Sequence, residues 1–275
     1  KRWGAEELAA LTAMVEQESL FYWKGPQTEA MLARFRKIYP LTHCMPASSG
    51  SAALHIAVSA LQLEPGSEII VPAITDMGSV IGILYQQLVP VFADVDGATV
   101  NLDPEDVRRR VTAKTRAIMP VHLAGCPCDM GALMAIARKH DLLVIEDCAQ
   151  AWGAKYQGEL VGLKGDLACY SFNEFKHLSC GDGGIVGTNN VLWGEGLSKW
   201  GDKHYDRVKG GRNPSHHDGS TFAVGVGRCA GSGAATRIAR RYAQLLVHHV
   251  ALAGGTVAGG SADDFRSAEG RRGRW

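Results

Sequence analysis

Ser171-Phe172-Asn173-Glu174-Phe175-Lys176-His177-Leu178-Ser179-Cys180-Gly181-Asp182-Gly183-Gly184 decides how this chain is read, together with Val144-Ile145-Glu146-Asp147-Cys148-Ala149-Gln150 upstream. The apolar run over residues 167–172 predicts a strand, and the glycines predict a turn, with Lys176 between the two. A lysine in that place is expected to be partly desolvated, which lowers its pKa and frees its amine for Schiff-base chemistry. Asp147 follows a second apolar run, residues 142–145, so its carboxylate is expected to emerge at the carboxyl edge of a buried strand. Open α/β sheets bind ligands at that edge.

Outward from these two stretches the chain alternates. Residues 68–71 after the Pro65-Gly66 turn, 89–93, 116–123 and 142–145 read as strands. Residues 130–140 read as a helix, and Asp103-Pro104 as an N-cap with proline at the first helical position of a helix running to about residue 111. The apolar runs are continuous, as strands covered on both faces should be. The order implies a doubly wound α/β domain with a mostly parallel sheet and helices on both faces. Residues 5–37 read as helical and polar-faced, with Leu8, Leu11, Met14 and Val15 on one side and a break at Gly25-Pro26. Ser48-Ser49-Gly50-Ser51 opens a helix over residues 52–63. Its amino terminus is read either as a plain capped helix or as an anion site of free N–H groups and hydroxyls.

With 275 residues, 46% hydrophobic and 21% charged, the chain can bury a sizeable core. No apolar run approaches the roughly 20 residues that cross a bilayer, and the amino terminus lacks a signal pattern. The chain starts at Lys1, and a trimmed start is allowed for. Seven cysteines without scaffold spacing fit a reducing cytoplasm, and Cys126-Pro127-Cys128 is too tight for a Cys-x-x-Cys metal or redox motif. It reads as small residues in a turn, and no metal is expected. The net charge of +1 hides an asymmetry. Residues 1–220 hold 21 Lys+Arg against 25 Asp+Glu, whereas residues 221–275 hold 8 against 3, and all eight cations there are arginine.

A Schiff-base lysine and an acidic partner for a ring nitrogen are the protein's half of pyridoxal 5'-phosphate (PLP) chemistry. The run Glu-Asp-Cys-Ala-Gln, then Gly165-Asp166, then Ser-Phe-x-x-x-Lys-x-Leu-x-x-Gly-Asp-Gly-Gly resembles the DegT/DnrJ/EryC1/StrS family of PLP-dependent sugar aminotransferases. The likeness extends through Ser48 to Leu54, Pro65 to Pro72, Val91 to Asp96 and Pro120 to Gly125, and covers roughly residues 20–210. Several ordered motifs at family-like spacing carry it.

The resemblance implies the large domain of a fold-type I transferase over residues 1–210, with residues 211–275 an atypical Gly/Ala/Arg-rich segment in place of a complete small carboxy-terminal domain. Gly50 and Ser51 match the positions that cradle the PLP phosphate, and Ser171 a serine that contacts it. Asp147 matches the partner of the pyridinium nitrogen and Gln150 a position beside the ring, although by residue type alone an N-cap and a turn-former are the other readings. Many members carry an aromatic residue at the position of Asp76. An aspartate does not stack on a ring, so Met77 is the candidate to cover it. Lys176 in place of the histidine of related dehydratases favours transamination, from glutamate or glutamine to a keto-sugar, nucleotide-linked, or a keto-cyclitol. A dehydratase or epimerase on the same scaffold and a catalytically incomplete relative are the alternatives. His177 reads as a surface or supporting residue. A homodimer is implied, with a soluble cytoplasmic setting, no membrane and no nucleic-acid partner.

Past about residue 207 the likeness stops. The family's Asn-x-Arg-Met segment is not recognisable, and Gly225-Val226-Gly227-Arg228 stands about where it belongs. The tail is expected to be a foreign or out-of-frame extension, partly disordered, with one amphipathic helix over residues 235–251 and Arg271-Arg272-Gly273-Arg274 solvated.

Overall fold

A computed structural model describes residues 3–17, 21–202, 205–206 and 211–212. The expectations for the tail, its helix and the missing Asn-x-Arg-Met segment lie outside the described residues. The elements in chain order are α1 (Ala5–Glu16), α2 (Pro26–Ile38), β1 (His43–Ala47), α3 (Gly50–Ala60), β2 (Glu68–Pro72), α4 (Gly78–Tyr85), β3 (Val89–Ala93), α5 (Pro104–Arg110), β4 (Thr115–Ile118), α6 (Met130–His140), β5 (Leu143–Asp147), a hairpin of β6 (Lys155–Tyr156) and β7 (Glu159–Leu160), β8 (Leu167–Ser171), β9 (Gly184–Thr188) and α7 (Val191–Gly201), with the short pair β10 (Tyr205–Asp206) and β11 (Gly211–Arg212) following.

Seven strands form one sheet in the order β1-β9-β8-β5-β4-β2-β3. Every pairing from β3 across to β8 is parallel, and β9 runs antiparallel to both β8 and β1. Six strands therefore point one way, and their carboxyl ends share one edge. Alternation along β5 shows how the sheet is covered. Ile145 packs with α3 and α4 on one face, in a cluster that takes in Ala53, Ala57, Val80, Ile83 and Leu197 of α7. Val144 packs on the other face with Val107 of α5 and Met130, Leu133 and Ile136 of α6. Further along that second face, Tyr170 of β8 meets Leu32 and Phe35 of α2. The continuous apolar runs of the sequence are thus explained by helices on both sides.

The expected strand over residues 116–123 stops at Ile118, because Pro120 has no N–H to donate to a ladder. A single parallel bridge, Val121 with Asp147, continues it. The expected break at Gly25-Pro26 is the start of α2, with Pro26 at the first helical position. Asp103 caps α5 by accepting the Glu105 N–H at 2.9 Å. Helix α1 buries none of its residues, and Leu8, Leu11 and Val15 form an exposed stripe.

Two strands of the seven-stranded sheet, β1 and β9, were not foreseen, nor were the short pairs β6–β7 and β10–β11. β9 reads in sequence as the end of a glycine turn, yet its glycines are what let it sit centrally. A Cβ on Gly184 would lie 2.3 Å from the Ser49 carbonyl oxygen, so glycine there admits the chain segment that leads from β1 into α3.

Candidate active site

At the carboxyl edge of the sheet lies a cavity of about 390 Å³. Each wall comes from the segment that follows a strand. The β1 exit supplies Ser49, Gly50 and Ser51, and the β2 exit supplies Thr75, Asp76, Gly78 and Ser79. Val121 follows β4, Asp147 and Gln150 come from the end of β5, and Ser171, Asn173 and Lys176 come from the end of β8.

Helix α3 starts at this cavity. Ser49 caps it, its Oγ accepting the Ala52 N–H at 3.1 Å and its carbonyl the Ala53 N–H at 3.0 Å. The N–H groups of the first turn, on Gly50 and Ser51, have no acceptor within the helix and open toward the cavity that both residues line. Ser171 closes the floor. Its Oγ accepts the Asn173 N–H at 3.2 Å, which leaves the hydroxyl hydrogen to donate to a ligand. Gly50 and Ser171 lie so close that a Cβ on Gly50 would come within 2.6 Å of the Ser171 Cβ. Glycine is therefore the residue that lets the helix terminus and the strand end form one cradle. These groups are neutral donors at a helix amino terminus, the chemistry that suits a phosphate.

Asp147 is the last residue of β5 and is 4% exposed. One carboxylate oxygen accepts the Ala149 N–H at 3.0 Å, and the other accepts the Ser79 hydroxyl at 2.8 Å. Burial pushes its carboxyl above the ordinary carboxylate range, against those two hydrogen bonds and the cationic field of its surroundings, which includes Lys176.

The residue before it builds the support. Glu146 faces the opposite side of the sheet, wholly buried, and accepts from the N–H groups of Gly162, Lys164 and Gly165 at 2.6–2.8 Å. His122, also wholly buried, lies 2.9 Å from its Oε2 through Nε2. The other ring nitrogen accepts the Cys128 N–H at 3.0 Å, so Nε2 carries the proton and donates it to Glu146. Burial works to raise the Glu146 carboxyl, and His122 with the backbone donors outweighs it and holds the group below its usual value. His122, Glu146 and Cys148 have the composition of a metal site. Each of their ligand atoms is already engaged in a hydrogen bond, Cys148 through its thiol to the Glu146 carbonyl. The pair instead pins the 120–128 loop to β5, joined by the Asp147 N–H to the Pro120 carbonyl and the His122 N–H to the Asp147 carbonyl.

Lys176 sits on the loop between β8 and β9. The Phe172 N–H to Gly183 carbonyl and Cys180 N–H to Phe172 carbonyl bonds pinch the loop at its base, and the Lys176 N–H donates to the Asn173 carbonyl at 2.9 Å. The lysine is half-buried, between exposed Phe175 and exposed His177.

Six of the seven expected site residues thus meet: Lys176, Asp147, Gln150, Ser171, Gly50 and Ser51 all line the cavity. Gln150 also accepts the Ala124 N–H through Oε1 at 3.0 Å. Met77 does not join them. It is 59% exposed at the start of α4, outside the cavity lining, while Asp76 beside it lines the cavity with a carboxylate oxygen on the Gly78 N–H at 2.7 Å. His177 lines a separate apolar groove with Phe35, Trp152 and Leu178. The sequence reading missed Ser79, Thr75 and Asn173. Ser79 lies in a glycine-flanked run to which no element was assigned, and its partner Asp147 is 68 residues away.

Residues 2–198 match the DegT/DnrJ/EryC1/StrS aminotransferase family. The chain belongs to this family. It is 40% identical over 167 residues to a GDP-perosamine synthase of Escherichia coli O157:H7, a match that covers 61% of this chain and 46% of the synthase. An aminotransferase from Psychrobacter cryohalolentis superposes with a TM-score of 0.73 at 34% identity, over 78% of this chain and 55% of that one. NtdA from Bacillus subtilis, solved with bound cofactor PMP, superposes with a TM-score of 0.69 at 28% identity, over 75% of this chain and 46% of that one. The chain spans about half the length of these relatives. In this chain the serine-glycine cradle, the buried carboxylate of Asp147 and Lys176 share one cavity.

Proposed function

We propose that this chain is the cofactor-binding part of a PLP-dependent aminotransferase that moves an amino group from glutamate or glutamine to a keto-sugar, nucleotide-linked, or a keto-cyclitol. The observation that carries the reading is the convergence of Lys176, Asp147 and the amino terminus of α3 on one cavity. The N–H groups of Gly50 and Ser51 with the Ser51 and Ser171 hydroxyls would hold the cofactor phosphate. Asp147 would pair with the ring nitrogen and keep it protonated, and Gln150 would border the ring. Bound PLP supplies an electron sink for the bonds at the substrate carbon.

The chain's own residues then do the acid-base work. The Lys176 Nζ takes the proton from the α-carbon of the amino donor and returns one to the carbon that receives nitrogen. Its place on a loop tied at the base but not embedded in the sheet gives it reach along the cavity. The retention of lysine favours transamination over the dehydratase chemistry of histidine-bearing relatives. A second copy of the chain completes the assembly. The exposed stripe of Leu8, Leu11 and Val15 and the exposed Phe175 and Leu178 beside the lysine support a dimer.

The donor half-reaction tests this function. Incubation of PLP-loaded protein with glutamate or glutamine is expected to release the corresponding 2-oxo acid, about one per site, detected by mass spectrometry. Lys176→Ala is expected to release none. Release at equal rates from the two proteins, or from neither, contradicts the reading.

A further inference from the structure

We propose that Ser79, primed by Thr75, is a positioning residue that holds Asp147 as an oriented anion facing the cavity. The inference rests on the cofactor reading only for its purpose; the relay itself stands on geometry. Ser79 is 2% exposed in the first turn of α4, and its Oγ lies 2.8 Å from Oδ2 of Asp147. The Thr75 hydroxyl lies 2.8 Å from the same Oγ. An ionised carboxylate only accepts, so the single Ser79 proton goes to Asp147, and Thr75 must donate to Ser79. The chain of donors therefore has one direction, from the cavity wall through two hydroxyls into the carboxylate. Each member polarises the next, which strengthens the last bond.

Other charges around Asp147 do not take over this task. Glu146 on its own strand faces the opposite side of the sheet and is bound by His122 and three backbone donors. Cys148 beside it and Cys169 on β8 are thiols that burial keeps protonated. Asp76 on the β2 exit is engaged by the Gly78 N–H through Oδ1. His122, held on Glu146, and then Lys176 on its loop, which the reaction uses, lower the Asp147 carboxyl from a distance but give it no hydrogen bond that orients it. Without Ser79, Asp147 would keep one side-chain acceptor bond, to the Ala149 N–H, and its second oxygen would be free to rotate out of line. Burial would then favour the protonated acid, which offers no charge to a ring nitrogen.

The test titrates the Asp147 carboxyl carbon by NMR in the protein without cofactor, with the signal assigned by its loss in Asp147→Asn. PLP affinity is measured beside it for wild type, Ser79→Ala, Ser79→Thr and Thr75→Val. Ser79→Ala is expected to move the Asp147 midpoint to higher pH and to weaken PLP binding about tenfold, the scale of one hydrogen bond to a charged group. Ser79→Thr is expected to restore both, because it restores the hydroxyl. Thr75→Val is expected to move both in the same direction by less, and it gives the answer if Ser79→Ala fails to fold. An unchanged Asp147 midpoint in the alanine variant, or a threonine variant that behaves like alanine, overturns the proposal. A lower melting temperature with an unmoved midpoint marks a merely structural serine and overturns it as well. Wild-type protein that binds no PLP while the midpoints shift as described refutes the cofactor reading and leaves the relay standing.

Discussion

Gly50 and Asp147 show what single residues contribute to this site, and each makes a prediction. A Cβ on Gly50 would press on Ser171 at 2.6 Å, and both residues are buried, so Gly50→Ala is expected to cost about 1–3 kcal/mol as an overpacking change and to abolish PLP binding. Melting temperature and cofactor titration check it, and Gly50→Ala with Ser171→Gly is expected to recover part of the stability but not the binding. Asp147 works in the opposite sense. Burial holds its carboxyl above the usual range, so the native state keeps the proton to higher pH than the unfolded chain does. The stability this group contributes is present below the unfolded value of about 3.9 and is lost as pH rises through the folded value. Asp147→Asn is therefore expected to raise the melting temperature of the cofactor-free protein at pH 7 while it removes PLP binding. Equal melting temperatures at pH 7 and at acid pH for the two proteins would contradict the sign. The lysine, the aspartate and the serine cradle were legible because each stands at the end of an apolar run in a motif. Ser79 was not, because its role depends on a contact across 68 residues that no local pattern encodes.

Elements follow the same logic of edges and exits. Strands β2, β3, β4, β5 and β8 were legible as continuous apolar runs, since a strand covered on both faces has no polar period to hide it. β1 carries a proline and a histidine, and β9 carries two glycines in five residues, so neither has a run to read. Their place in the sheet is set by pairing with each other and by the close approach to Ser49. Helix α5 illustrates how an element is tied down by charge. Asp106, 5% exposed, accepts the Asp94 N–H at 2.6 Å and the Arg110 guanidinium at 2.7 Å, with Arg109 beside it, and these donors hold its carboxyl down to about 2. Its stabilising effect is fully present above the unfolded value of about 3.9 and disappears as pH falls to about 2. Asp106→Asn is expected to melt below wild type at pH 7, with the gap closing between pH 4 and pH 2. A gap that stays constant with pH would show that the ion pairs do not anchor α5.

At the scale of the molecule, a mostly parallel sheet with one antiparallel strand places every site segment at one edge, and a dimer is the assembly proposed for the exposed apolar side chains of α1 and the lysine loop. Sedimentation is expected to give a concentration-dependent dimer, and Leu178→Asp to shift it toward monomer without loss of helix content; a monomer at all concentrations contradicts that assembly. No helix among the described residues is long and apolar enough to cross a membrane. The family was legible because its motifs follow one another in order within residues 2–198, whereas substrate choice was not, because no residue of the cavity identifies a sugar or a nucleotide. The measurement that tests the central claim most directly is covalent capture of PLP at Lys176. Protein incubated with PLP is predicted to develop a visible absorbance that borohydride removes, leaving a pyridoxyl mass on the peptide that contains Lys176, with no such label in Lys176→Ala. Folded protein that takes up no label, or takes it up equally in the variant, would contradict the account.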